Sequence, residues 1–179
     1  MNQLSAKVLP KVEMDVEEYL RTSFDGADCE YLDGEVVERN TGELPHGDVQ
    51  GNLYHLLRRL RPQLGIRAVP EIRIQIHSRR YRVADIAVWR DDNIGTGIPT
   101  VPPFLVVELL SPEDRLVRMA PKIQEYLSIG VEWVWVIDPA EQTALCYSQK
   151  DPRAAVSDVL RTENPSIEIP LDRAFDLNA

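Results

Sequence analysis

The chain has 179 residues, 44% of them hydrophobic and 27% charged, which suits one ordinary soluble domain able to bury a core without staples. No apolar run approaches the roughly 18 residues of a membrane span. The N-terminus lacks a signal-peptide h-region, and Cys29 and Cys146 show neither metal spacing nor a disulfide framework, so reduced thiols in a cytoplasm and no membrane partner are expected. A net charge of −9 argues against nucleic acid as a partner, unless the basic residues are gathered in one place.

Along the chain, MDVEEYLRTS predicts a short helix capped by Asp15 with acids in its first turn. In CEYLDGEVVER, Asp33-Gly34 between two extended runs predicts a hairpin, because glycine tolerates the positive φ of a type I′ turn. Glu30 and Glu35 on that hairpin are weak candidates to line a site, since hairpin acids are usually solvated. A helix is expected from about His46 to Gln63, ended by Gly65. Val49, Leu53, Leu56, Leu57, Leu60 and Leu64 form its buried face, and His46 and Gln50 continue that stripe into the first turn.

EIRIQIH alternates as a strand, with Ile72, Ile74 and Ile76 on one face. A turn at Ser78-Arg79-Arg80 leads into a second strand, YRVADIAVW, and after a Gly/Pro-rich loop FLVVELL is the third. Ser111, Pro112 and Asp114 carry the signals of a helix start, and Gly130 closes that helix. VEWVWVID is a fourth strand, QTALCYS pairs with it across a turn at Pro139, and the remainder to Ala179 supplies short strands and a tail. The order helix, strand, strand, strand, helix, strand predicts an α/β (α+β) domain over residues 1–179, its core at about 29–139, with one mixed sheet flanked by helices.

Charge is distributed unevenly. Residues 1–48 carry twelve acids and four bases, whereas residues 58–82 carry eight arginines and one acid, Glu71. A local basic stripe can bind a phosphate backbone even on an acidic protein. Arg58, Arg59, Arg79, Arg80 and Arg82 are the candidate nucleic-acid contacts. The competing expectation is that these arginines pair with the acidic N-terminal part.

Two carboxylates interrupt apolar strands. Glu108 lies among Phe104, Leu105, Val106, Val107, Leu109 and Leu110, and Asp85 sits mid-strand on the face of Val83 and Ala87. A lone buried carboxylate is costly, so each needs an arginine, a metal or water. Sequential strands are usually neighbours, which can bring the two together. Two like charges at close range need a cation, and oxygen ligands suit Mg²⁺ or Mn²⁺.

The strand VADIAVW, then VVELLSP, then Lys122 fourteen residues after Glu108, Tyr126, Gly130 and VWVIDP resemble the Uma-type restriction endonuclease family of the PD-(D/E)XK nuclease superfamily. CEYLDGEVV and the lone His46 before a helix resemble the family's N-terminal half, so the match runs from about Cys29 to Pro139. The resemblance implies a restriction-endonuclease-like αβββαβ core. It also implies metal-dependent hydrolysis of DNA to 5′-phosphate ends, with homodimerisation left open. Asp85, Glu108 and the backbone carbonyl of Leu109 would hold Mg²⁺ or Mn²⁺. The superfamily's lysine two residues after the glutamate is replaced by Leu110; Lys122, at the edge of the stripe Leu116, Met119, Ile123 and Leu127, matches the family's migrated position. His46 would orient water or neighbour the metal.

Three departures stand out. Ala84 replaces the proline that usually precedes the aspartate, Arg118 replaces a common acid, and Pro121 is expected to break the second helix, at a cost of roughly 3 kcal/mol in a continuous one. Ala84 is tolerable because only backbone shape is at stake, whereas Arg118, Pro121 and the acidic balance favour the alternative of a catalytically inactive nuclease fold that binds nucleic acid or a protein. A structural protein whose Asp85 and Glu108 merely pair with arginines is a further alternative. No GxxxxGK[ST], HExxH or GxSxG motif occurs, so NTPase, zincin and serine hydrolase chemistries have no support.

Overall fold

The computed structural model describes residues 12–26, 28–39, 42–90, 94–111, 116–150, 155–156 and 158–176. In chain order the elements are β1 (Val12–Glu13), α1 (Val16–Arg21), β2 (Glu30–Leu32), β3 (Glu35–Val37), α2 (Leu44–Arg59), α3 (Arg61–Leu64), β4 (Ile66–His77), β5 (Arg80–Arg90), β6 (Leu105–Leu109), α4 (Leu116–Ser128), β7 (Trp133–Asp138), β8 (Thr143–Ser148), β9 (Ala155–Val156), β10 (Val159–Glu163), β11 (Ser166–Pro170) and α5 (Leu171–Phe175). The expected order of helix, three strands, helix and strand is observed as α2, β4, β5, β6, α4, β7.

The main sheet runs β1-β3-β2-β5-β6-β7-β8-β9, with β4 also paired to β5. The pairing of β6 with β7 is parallel, as a crossover through α4 requires, and the other pairs among the described strands are antiparallel. Helices cover both faces. Val49, Leu53 and Leu57 of α2 pack with Ile86, Val88, Leu105, Val107 and Trp135. Met119, Ile123, Tyr126 and Leu127 of α4 pack on Ala84, Ala87, Val106, Val134 and Val136 on the opposite face. Among the described residues no helix is long and apolar enough to cross a membrane.

Local chemistry explains most boundaries. The Asp15 side chain accepts from the Glu17 amide at 2.8 Å and starts α1. Asp33 and Gly34 both take positive φ (57° and 115°), the type I′ geometry expected of that hairpin.

Two expectations about helices are corrected. The helix placed at 46–63 is two elements, α2 and α3, meeting at Leu60, because Pro62 lacks the N–H that a continuous helix would use. Conversely, α4 runs unbroken through Pro121. Its strongly amphipathic face is anchored on the sheet by Met119, Ile123 and Tyr126, and that packing outweighs the lost backbone bond. The cap expected from Pro112 and Asp114 falls outside the described residues, as does the side chain of Arg118.

A second feature of β4 and β5 positions the site. Val69 and Ile72, and opposite them Ala87 and Ala84, join the same apolar cluster, although three residues apart in a regular strand should face opposite ways. The alternation therefore breaks between them in both strands. Glu71, at φ +48°, lies in that break on β4, and Asp85 lies in it on β5. Asp85 accordingly does not share a simple face with Val83 and Ala87.

Candidate active site

One edge of β5 changes partner along its length. Arg80 and Tyr81 pair with β2, and Ile86 to Val88 pair with β6. Residues 82–85 fall in the fork where β2 and β6 diverge, so their polar backbone groups need partners other than a ladder. Side chains supply them. The Val83 amide donates to Glu30 Oε1 at 3.3 Å, and the Val83 carbonyl accepts from Lys122 Nζ at 2.9 Å. The Leu109 amide donates to Asp85 Oδ2 at 2.7 Å. The fork is thus lined by Glu30, Asp85, Glu108 and Lys122, each mostly buried.

The register of β5 on β6 sets Glu108 beside Asp85, one step beyond the pair Ile86–Val107. From the other side α4 presents Lys122 and Tyr126, one helical turn apart. Lys122 Nζ donates to Glu108 Oε2 at 2.8 Å, and the Tyr126 hydroxyl donates to Glu108 Oε1 at 2.8 Å. Lys122 Nζ also lies 3.1 Å from Glu30 Oε1. Its three protons are therefore matched by three acceptors: Val83 O, Glu108 and Glu30.

Burial dominates the electrostatics. It raises the Glu108 pKa to about 7, with Lys122 pulling it down and Asp85 pushing it up. Burial acts likewise on Glu30, but Lys122 and Arg82 outweigh it and hold that carboxyl at about 2. For Lys122, burial favours the neutral amine, yet Glu108, Glu30 and Asp85 together keep it well above the ordinary lysine value. Glu108 and Lys122 do not mirror each other, because Lys122 divides its charge between two carboxylates. Tyr126, raised by burial and then by Glu108, stays a neutral donor.

The Asp85 end holds residues that sequence reasoning did not assign. Arg39, 15% exposed, donates one terminal nitrogen to Asp85 Oδ1 and the other to Glu71. Gln50 Nε2 donates to Glu71 Oε1 at 2.6 Å and to the Asp85 carbonyl at 3.0 Å. His46 Nε2 stands 3.8 Å from Asp85 Oδ1, and its buried Nδ1 has no partner among the described residues. Gly42 abuts the ring so closely that a Cβ there would lie 2.8 Å from His46 Cδ2. Gln50 was visible as the extension of the α2 stripe beside His46. Nothing in the local pattern signals Arg39 or Glu71.

The structure therefore brings Asp85, Glu108, Lys122 and His46 together, and adds Glu30 from the hairpin. Glu35 lies one strand further out, opposite Leu32 and Glu13. Leu109 meets Asp85 through its amide. The arginines divide. Arg82, 11% exposed, is paired with Glu30 and Glu125, and Arg80 bridges Glu125 and Asp33, so both are engaged in intramolecular pairs. Acids of the hairpin hold them there. Arg79 caps the turn by donating to the Asp33 carbonyl at 2.9 Å but is itself exposed. Arg58 and Arg59 are exposed near the end of α2.

A profile of the Uma2 family, described as "Putative restriction endonuclease", matches residues 16–178. The chain belongs to the Uma2 family. Among solved structures, the crystal structure of a putative nuclease belonging to DUF820 from Anabaena variabilis ATCC 29413 is similar with a TM-score of 0.77 and 20% identity. The similarity covers 93% of this chain and 99% of that one, and at that identity it speaks for the fold. No curated protein matches. The mixed sheet flanked by helices is thus a nuclease fold, as the sequence resemblance implied.

Proposed function

We propose that this Uma2 protein hydrolyses phosphodiester bonds in DNA with the help of Mg²⁺ or Mn²⁺. The observation that carries the reading is the convergence of Asp85, Glu108 and Lys122, from three elements, on the β5 fork, with Lys122 Nζ 2.8 Å from Glu108. Among the described residues no three acidic, His or Cys side chains gather as a ready-made metal cage. Two adjacent carboxylates nevertheless fit a hard cation that keeps several waters, whereas they do not fit a thiophilic one. Asp85 and Glu108 would hold the cation, with the Leu109 carbonyl as a third oxygen. When bound, such a cation polarises the phosphoryl group and lowers the pKa of the attacking water.

The chain's own residues fix the geometry. Lys122 and Tyr126 pin both oxygens of Glu108, setting its orientation. His46, with Nε2 toward Asp85 and Nδ1 unpartnered among the described residues, would orient water. Incubation with plasmid and single-stranded DNA in Mg²⁺ or Mn²⁺, with Asp85→Ala as control, tests the reading. Cleavage by the wild type and not by Asp85→Ala is expected; equal cleavage by both, or by neither, would sink it. A second reading, a nuclease fold that binds without cutting, is favoured by Asp85 itself, whose two oxygens are already engaged by Arg39 and the Leu109 amide.

A further inference from the structure

The proposed chemistry leaves one positive charge without a task and one task without a charge. A phosphodiester in the fork needs a cation to meet its oxygens. Lys122 is poorly placed for this, because Val83 O, Glu108 and Glu30 accept its three protons. Arg82, also at the fork, is taken up by Glu30 and Glu125, which leaves Arg39 as the cation that borders Asp85. Arg39 follows β3, and its guanidinium lies between Asp85 on the buried side and Glu71 on the side facing solvent. Glu71 is kept in place by Gln50. At φ +48° it also holds a conformation that residues with a Cβ rarely adopt and that surrounding structure must enforce. Arg39 is thus moored at one end by Glu71 and Gln50, while its other end rests on a proposed metal ligand.

We infer that Arg39 grips the phosphate of the bound strand, and that in the free protein the same guanidinium competes with the divalent cation for Asp85. This inference rests on the nuclease reading above. The Leu109 amide occupies Asp85 Oδ2, so Oδ1, the oxygen that meets Arg39, is the one left for a cation. Two cations on one carboxylate oxygen repel each other. Cation binding therefore loosens the contact of Arg39 with Asp85, while the Glu71 mooring keeps the guanidinium at the fork. Its freed donors form a planar fork that suits two phosphate oxygens at once, and its charge is permanent. Glu71 and Gln50 are positioning residues in this scheme.

Mn²⁺ calorimetry without DNA, and cleavage at saturating Mn²⁺, on wild type, Arg39→Ala and Arg39→Lys test it. Arg39→Ala is expected to bind Mn²⁺ about tenfold tighter or more, because a like charge competing for Asp85 Oδ1 is removed. The same variant should cleave about 10²-fold slower, as loss of one transition-state donor typically costs. Tighter metal binding with slower cleavage is a combination that a merely structural role does not produce. Unchanged Mn²⁺ affinity in Arg39→Ala overturns the competition, and full cleavage overturns the phosphate grip. If Arg39→Ala folds poorly, Arg39→Lys decides: it keeps the charge but loses the fork, so Mn²⁺ affinity should hold while cleavage falls, and wild-type cleavage overturns the inference. A wild type that neither binds Mn²⁺ nor cuts removes the nuclease reading together with this one. An active wild type matched by Arg39→Ala removes this one alone.

Discussion

Two charged networks meet at β5, and they are built to different standards. On the Glu108 side every acid has a close cation. Lys122 joins Glu108 to Glu30, Arg82 joins Glu30 to Glu125, and Arg80 joins Glu125 to Asp33. On the Asp85 side one arginine is shared by a buried acid and an exposed one, a histidine stands off at 3.8 Å with an orphaned nitrogen, and the backbone at Glu71 is strained. Arg80 Nε, like His46 Nδ1, is buried without a partner among the described residues, but each acid on the Glu108 side is held by a cation, and every such pair broken in a low dielectric leaves a costly group behind. On the proposed function, the Glu108 side would frame the site and the Asp85 side would be where partners exchange.

The heaviest blow to that contrast is Lys122→Ala. Removing the shared cation leaves Glu108 and Glu30 buried without it, and breaking a buried pair in this way costs about 3–5 kcal/mol. Urea denaturation should show that loss, and cleavage should fall by about 10²-fold or more as Glu108 loses its orientation. Leu110→Lys in that background, which sets a lysine two residues after Glu108, should recover part of the activity. Wild-type stability in Lys122→Ala would mean that the Glu108 network is not closed at all.

Next in size is metal binding. Glu108→Gln should weaken Mn²⁺ binding on the order of 10²-fold, at least the loss typical of residues that support ligands. Because the Glu108 carboxyl in the free protein takes up a proton near pH 7, Mn²⁺ must displace that proton below this value. Affinity measured by calorimetry should be level at alkaline pH and decline as pH falls below about 7. Equal affinity in Glu108→Gln, or a flat profile between pH 5 and 8, would remove Glu108 as a ligand.

These contrasts were unevenly legible. The strand order, the Asp33-Gly34 hairpin and the two interrupted strands stand out in the sequence because each is a local pattern of periodicity or turn chemistry. The family resemblance added Lys122 and His46. The Glu30–Lys122 and Arg39–Asp85 contacts join residues 92 and 46 positions apart, and no local rule signals them. Glu71 is hidden for a different reason: its side chain reads as a solvent-side strand residue, and only the backbone reveals the positive φ and the face change around it. Pro121 misled because intrinsic helix propensity is weaker than the packing of an amphipathic face.

A finer comparison sets Glu30 against Glu108 across the same lysine, since folding moves their pKa values in opposite directions. Glu108 rises from an ordinary 4.5 to about 7, so the native state holds its proton longer than the unfolded chain does. Its contribution to stability is present below about 4.5 and lost as pH rises through about 7. Glu30 falls from 4.5 to about 2, so its contribution is present above about 4.5 and lost as pH falls toward about 2. A tenfold difference in proton affinity between folded and unfolded chains corresponds to about 1.4 kcal/mol. Glu108→Gln should flatten stability between pH 5 and 7, and Glu30→Gln should flatten it between pH 4 and 2.5. Urea titrations that keep the wild-type slope in both windows would contradict this assignment.

The smallest effect separates arginines inside the closed network from those outside both networks. Arg58 and Arg59 are exposed, and Arg58 lies 5.7 Å from the Tyr54 ring centroid and donates to its hydroxyl at 3.3 Å. They sit about 12 and 14 Å along α2 from Gln50 at 1.5 Å per residue, a distance that a strand held at the fork could span. Reversing both to Glu should lower DNA affinity uniformly across sequences, and for every phosphate no longer neutralised the slope of log affinity against log salt should flatten by about 0.9. Folding should be unaffected, since neither residue is buried. Arg80→Glu and Arg82→Glu should behave in the opposite way. Either reversal breaks the Glu125 pairs, so the urea midpoint should fall first and DNA affinity only through it. Anisotropy titrations at several salt concentrations, alongside urea melts, distinguish the two classes. A steep salt slope that survives Arg58→Glu and Arg59→Glu but collapses in a stably folded Arg82→Glu would show that this paired arginine reaches DNA, and that its network opens when DNA binds.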